Sequence, residues 1–298
     1  MDDVEDPEDI LSSSLQTLYD YAPITHSTPG ALFTYTYAPQ SPAVSSPSTS
    51  RTISLSTPDP AAQNWALHAS AIWLSALYIA DHLTDLRIPP APPLYPSTTA
   101  DEDAVDAEPA GCVRVLELGA AAGLPSILIA QMHAHARVTA SDYPDAQIAQ
   151  TLRDNVQRNG VTARVRVVPH AWGDDPAPLL AAPAAPPRAF EVVVAADTLW
   201  DPALHARLLD TLTCVLAHTR TARAHFVAGL HTGRYTISAF VRAAEERGLG
   251  VESAEEREVG GEGRRPWMVE REGAEGETEK ERRRWIVWIV LRWQGAEG

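Results

Sequence analysis

Val115-Leu116-Glu117-Leu118-Gly119-Ala120-Ala121-Ala122-Gly123-Leu124-Pro125 is a run of apolar residues that stops in a cluster of small ones. CVRVLELG (112–119) reads as a buried strand and LPSILIAQMHAHA (124–136) as a helix, so the small residues form the turn between them. Small side chains let backbone approach a ligand closely, and a helix N-terminus offers unpaired N–H groups and positive potential. In open α/β sheets that crevice, at the strand C-termini, is where ligands bind. The alternative is a tight strand–helix turn with no ligand.

The residue types narrow the ligand. A dinucleotide fingerprint places glycine at 119, 121 and 124; this chain has Gly119, Ala121 and Leu124. Glu117, just before the turn, would repel a pyrophosphate. It suits a cation such as the amino-acid end of S-adenosylmethionine, with its ammonium and sulfonium. Asp142 ends the next strand, where a carboxylate can accept hydrogen bonds from both hydroxyls of a ribose. NAD and S-adenosylmethionine both carry a ribose, so Asp142 does not choose between them, and by position alone it could cap the following helix.

Outward from this unit the pattern repeats. RVTASDY (137–143) is a strand; PDAQIAQTLRDNVQRNG (144–160) is a helix with Pro144 in its first turn and Gly160 at its stop. ARVRVVPHAW (163–172) and FEVVVAADTLW (190–200) are strands, separated by an Ala/Pro run with at most one helical turn. A helix (201–219), a strand (ARAHFVAGLH, 222–231) and a helix (237–248) follow. Strands alternating with helices imply a doubly wound, mostly parallel sheet. The end differs: GVESAEEREV and RRRWIVWIVLRW are two strands with no helical pattern between them, hence a terminal antiparallel hairpin and seven strands in all.

Towards the N-terminus, Trp65–Leu83 is apolar at helical spacing. The Pro-rich, acidic stretch 88–111 reads as a surface loop. Residues 1–60 are rich in Ser, Thr and Pro and read as a mostly irregular leader, with short strands near Ala31–Tyr37 and Thr52–Leu55. Residues 61–298 are then one α/β domain, within reach of 298 residues that are 45% hydrophobic.

The net charge of −15 argues against broad nucleic-acid binding, which needs a basic footprint, and would suit a basic protein partner or simply solubility. No apolar run approaches the roughly 20 residues of a membrane span, and the acidic start MDDVEDPEDI does not order itself as a signal peptide. Cys112 and Cys214 lack metal-ligand spacing and read as small core residues in a reducing compartment. The expectation is a cytosolic, monomeric protein without a metal.

VLELGAAAGLPSILIA, followed by VTASDY, HAWGD and VVVAADTLW, resembles the seven-strand (class I, Rossmann-like) protein methyltransferases that modify non-histone lysines. Within them it is most similar to the fungal group acting on the N-terminus and a lysine of elongation factor 1-alpha, long labelled nicotinamide N-methyltransferase-like. The resemblance runs from about Trp65 to the C-terminus, including PWMVE and WIVWIVLRW. It implies an S-adenosylmethionine-dependent N-methyltransferase with a protein substrate, or alternatively a small-molecule amine methyltransferase or a silent cofactor binder.

It also implies roles. Trp73 would close over the cofactor, and Gly119, Ala120 and Ala121, with Gly123 and Glu117 around them, would meet its methionine part. Asp142 would take the ribose, Trp172 would lie beside the adenine, and Ala196 and Asp197 would line the methyl-transfer site. By spacing alone Trp73 reads as core, and Asp197 could cap a helix, although Asp201 is better placed for that. Departures are Ala121 for a frequent glycine, with little effect expected; Trp200 where Tyr or Phe is commoner; and Ala66-Leu67-His68 for a glycine-containing turn. Asp197 is expected to orient the accepting amine and Trp200 to wall a narrow channel for it. His231 is a lesser candidate, since a lone loop histidine is commonly just solvated.

Overall fold

The alternation in VRVLEL and WIVWIVLRW gives one sheet two apolar faces. The computed structural model describes residues 24–38, 50–90, 111–181 and 186–295. The strands are β1 (Thr25–His26), β2 (Leu32–Tyr37), β3 (Arg51–Ser56), β4 (Ile72–Trp73), β5 (Val113–Leu118), β6 (Ala136–Asp142), β7 (Val165–Pro169), β8 (Val192–Ala196), β9 (Arg223–Gly229), β10 (Leu249–Glu258), β11 (Arg264–Pro266) and β12 (Trp285–Trp293). The helices are α1 (Leu74–Asp81), α2 (Leu124–Met132), α3 (Ala146–Arg158), α4 (Ala177–Leu180), α5 (His205–Val215), α6 (Arg234–Glu245) and α7 (Glu279–Arg283).

The main sheet runs β11-β10-β12-β9-β8-β5-β6-β7. β7, β6, β5, β8 and β9 are parallel; β12 is antiparallel to β9 and β10, and β11 antiparallel to β10. The chain therefore reverses direction across the sheet between β5 and β8, which places a crevice at their C-terminal ends. The expected seven strands and antiparallel end are present. An eighth, β11, continues the edge, because Arg264–Pro266 folds back beside Glu255–Arg257.

Successive side chains of a strand point to opposite faces. Val113 and Val115 of β5, with Ile286, Trp288 and Val290 of β12, face α1, α2 and α3. Leu116 and Leu118, with Val287, Ile289 and Leu291, face α5 and α6. Both faces of the central strands are dry, which is why their sequences read as continuous apolar runs.

β2 and β3 form a hairpin whose Tyr35, Ile53 and Leu55 join the first of these cores. It is latched to α3 by polar contacts. The Ser56 and Ser54 N–H groups donate to Asn155 Oδ1 (2.8 Å) and Asn159 Oδ1 (3.1 Å), and the two amide groups donate back to the Ser56 and Ser54 carbonyls. The rest of the leader, residues 1–23 and 39–49, lies outside the described residues, as does most of the expected 88–111 loop.

Three expectations need correction. Trp65–Leu83 is not one helix: a 3-10 turn (Ala62–Leu67) ends at His68 in the left-handed region, β4 pairs with β1, and only Leu74–Asp81 is α-helical. Apolar spacing could not register that pairing with a strand nearly fifty residues earlier. And Cys112 is buried but Cys214 is exposed, because α5 turns Leu208, Leu209, Thr211, Leu212 and Val215 inward and carries Cys214 on its outer side. Helix α3 is capped by Asp145, whose carboxylate accepts from the Gln147 and Ile148 N–H groups, so its first turn starts beyond Pro144. Among the described residues no helix is long and apolar enough to cross a membrane.

Candidate functional site

The C-terminal ends of β5, β6, β7 and β8 open into a cleft of about 810 Å3 including its mouth. Gly119, Ala121, Asp142, Tyr143, Trp172, Ala196, Asp197, Thr198 and Trp200 line it, with Trp73 and His68 from the segment before the main sheet. A smaller chamber adjoins it and shares Trp73, Gly119, Ala121 and Ala196; Glu117, Ala120 and Gly123 belong to this chamber. Every residue singled out from the sequence for cofactor or catalysis, His231 excepted, thus lines one of two neighbouring cavities.

The turn after β5 is wound tightly: Gly119, Ala121 and Gly123 have φ of 70°, 46° and 83°. A Cβ on Gly119 would stand 2.9 Å from Thr198 Cγ2 and 3.5 Å from the Trp172 ring, so the backbone there runs directly beneath the cleft. A Cβ on Gly123 would meet Leu152 Cδ1 at 2.5 Å, which makes that glycine a packing requirement between α2 and α3. Ala121 carries its Cβ in the same left-handed region, where it is strained, so the replacement of glycine is not neutral for the backbone.

Asp142 holds this turn. Its Oδ2 accepts the Ala121 N–H at 2.6 Å and its Oδ1 the Tyr143 N–H at 2.7 Å. It is therefore not a helix cap, a role Asp145 fills. Burial pushes its carboxyl up to about 6, against the two backbone donors that lower it. Glu117 is pushed further, to about 8, again by burial, although its Oε2 accepts both the N–H and the hydroxyl of Ser126 in the first turn of α2. Burial thus disfavours the charged form of both carboxyls, of Glu117 most, and a bound cation would favour it again.

At the end of β8 the chain kinks: Asp197 has φ of 50°. Its carboxylate accepts the Gly229 N–H at 2.8 Å and the Ser75 N–H at 3.2 Å, tying β8 to the end of β9 and the start of α1. Asp197 does not cap the following turn; Asp201 does, accepting from the Ala203 N–H at 2.9 Å. The Thr198 hydroxyl is buried on the cleft floor without a partner.

Aromatic rings form one wall. The Trp73 indole N–H donates to the His68 carbonyl at 2.7 Å, and the His68 ring meets Trp73 edge-on at 5.8 Å and Trp200 edge-on at 4.9 Å. Trp73 is thus half-buried at the cleft rather than in the core. On its other side His231 stacks on it at 6.0 Å. That histidine is not simply solvated: burial holds its pKa below the ordinary value, opposed by the nearby Asp197 charge, and its Nδ1 is buried without a partner.

Sequence reasoning missed Tyr143, His170, Leu204 and Arg207 in the lining. Tyr143 had a signal, as the residue following Asp142. Arg207 had none; it reaches the cleft because α5 packs its stem against Gly173. Glu117, Asp142 and Asp197 set three carboxyl groups against this one guanidinium across both cavities. A ligand with its own positive charges and a ribose fits this donor set, and a pyrophosphate does not. S-adenosylmethionine meets that description.

A family model described as lysine methyltransferase matches residues 63–246. The protein N-terminal and lysine N-methyltransferase of Gibberella zeae is 31% identical over 159 residues, 49% of this chain and 60% of that protein. Proteins of the same name from Emericella nidulans and Neurospora crassa are 34% and 31% identical, covering 36% and 46% of this chain. The chain spans 44% and 53% of their lengths, so about half of the curated relatives it matches. A solved S-adenosylmethionine-dependent methyltransferase from Aquifex aeolicus is 13% identical and covers 60% of this chain and 81% of its own, with a TM-score of 0.42.

Proposed function

We propose, for a chain that belongs to the lysine methyltransferase family, that its cleft methylates an amine of a protein, with S-adenosylmethionine as the donor. The observation that carries this reading is the juxtaposition of a chamber holding the buried acid Glu117 with an indole-walled cleft that is lined by Asp142 and Asp197 and open to solvent. Among the described residues, none of 24–60 lines that cleft, which suits an acceptor presented on a protein surface. A small molecule such as nicotinamide would call for a more enclosed pocket.

When bound, the cofactor supplies a methyl group made electrophilic by a neighbouring sulfonium. The residues of the chain align and desolvate the partner amine. Asp197 is fixed by two backbone donors, so its remaining lone pairs point from a rigid position. Trp200 and Trp73 offer ring faces to an amine that becomes cationic as its new C–N bond forms. The attacking amine must be neutral. A free lysine has a pKa of about 10.4 and an α-amine about 8, so an N-terminal amine is the easier acceptor at neutral pH.

In its finer form, the substrate is elongation factor 1-alpha in the cytosol, at its N-terminal amine, a nearby lysine, or both. The relatives' names, which specify N-terminal and lysine methylation, support the amine classes. The test is transfer of labelled methyl from S-adenosylmethionine into an extract lacking this enzyme, with nicotinamide in a parallel reaction. A labelled band of that factor, mapped to its N-terminal peptide, supports the reading. Label in nicotinamide alone replaces it with small-molecule metabolism, and cofactor binding without label replaces it with a silent binder.

A further inference from the structure

Five residues other than glycine have positive φ among the described residues, and three of them, His68, Ala121 and Asp197, line the cleft. Ala121 and Asp197 are held there by the hydrogen bonds already described. His68 is different. It follows the 3-10 turn Ala62–Leu67 with φ of 54° and ψ of 26°, and its N–H closes that turn on the Trp65 carbonyl. Glycine is the usual residue at such a helix end, because a side chain in this conformation is strained. The imidazole is exposed, so core packing does not explain a side chain there. What the ring does touch is two indoles, edge-on to each, at 4.9 Å from Trp200 and 5.8 Å from Trp73. At those separations the three rings are in contact, the edge-to-face arrangement aromatic pairs favour.

We propose that His68 is a specificity-determining residue that plugs the corner between Trp73 and Trp200 and so restricts the acceptor to an amine on a slender, unbranched chain. The inference rests on the amine-methylating reading above. Without the imidazole the two indoles are no longer bridged and the wall opens sideways at the point where the acceptor enters. Strained backbone persists at functional sites when surrounding structure holds it. Here the holding contacts are the Trp65 carbonyl and the Trp73 indole N–H, which binds the His68 carbonyl at 2.7 Å. Both engage the backbone of residue 68, which glycine and asparagine retain, so the ring can be removed without removing the turn.

The experiment uses the full chain and two variants, His68→Gly and His68→Asn, since glycine and asparagine both tolerate this backbone conformation. Acceptors are a lysine peptide that the wild type methylates and the same peptide with an N-isopropyl lysine. The measured quantity is the ratio of kcat/KM between them, with cofactor affinity and melting temperature as controls. The wild type is expected to discriminate strongly. Each variant is expected to narrow the ratio about tenfold or more, which corresponds to about 1.4 kcal/mol, with cofactor affinity within about threefold and a melting temperature within a few degrees. An active wild type whose ratio neither variant moves overturns this proposal alone. A wild type that binds cofactor but methylates no protein amine overturns the activity reading and this proposal together.

Discussion

Asp142 accepts the Ala121 N–H at 2.6 Å, so the acid at the end of one strand braces the turn at the end of its neighbour. The same carboxylate faces the cleft, and one substitution therefore acts on both. Asp142→Ala is expected to weaken S-adenosylmethionine binding by about 1.5–3 kcal/mol, the scale of a hydrogen bond to a charged group. Calorimetric titration measures it, and unchanged affinity would remove Asp142 from the site. Because burial raises this carboxyl to about 6, affinity should fall as pH drops through that value. The sign reverses for the free protein: a carboxyl raised above its unfolded value of 3.8 removes stability as pH climbs from about 4 to 6.

Glu117 extends the same logic to higher pH. Its folded value of about 8 exceeds the ordinary 4.5, so the free protein loses stability between those limits as the pH rises. Glu117→Gln keeps an acceptor for Ser126 and removes the buried charge. It is expected to raise free-protein stability at pH 8 by an amount on the order of 1–2 kcal/mol while weakening cofactor binding. Denaturant melts at pH 5 and pH 8 separate the outcomes; an equal effect at both pH values would exclude a titrating Glu117.

Ala121 carries a Cβ at φ of 46° on the turn itself. Ala121→Gly relieves that strain but increases the freedom of the unfolded chain, leaving a net gain of about 0.5–1 kcal/mol. Cofactor affinity should hardly change, since the N–H that meets Asp142 is kept. A loss of stability in urea unfolding would show that the methyl group packs favourably.

Asp197 carries structure as well as chemistry. Asp197→Ala leaves the Gly229 and Ser75 N–H groups without their acceptor, a loss of about 2–4 kcal/mol for two backbone donors. Activity lost in this variant would be ambiguous on its own. Trp200→Ala removes a cleft wall without touching those donors and should lower kcat/KM for the amine by tenfold or more at nearly constant melting temperature.

The mostly parallel sheet and its crevice were legible because parallel strands dry on both faces leave apolar runs, and the turns between strand and helix leave small residues. Asp142 and Trp172 could be placed for the same reason: one is the last residue of a strand and the other follows the next strand, and strand ends converge. Other parts depended on partners distant in sequence. His68 ends a 3-10 turn, and β4 follows it as the partner of Thr25 and His26, which helical spacing around Trp73 conceals. The two backbone donors on Asp197 come from residues 75 and 229. The extra edge strand β11 lies in a Gly/Glu/Arg stretch with no apolar alternation at all.

The latch between the β2–β3 hairpin and α3 has a temporal consequence. Ser54 and Ser56 are about a hundred residues from Asn159 and Asn155. At a synthesis rate of about 5–20 residues per second, the hairpin leaves the ribosome some 5–20 s before the helix that completes it exists. During that interval Ile53 and Leu55, fully buried in the finished protein, have no helix to cover them. The nascent chain thus carries an uncovered apolar edge through much of its synthesis, a surface on which a chaperone would act.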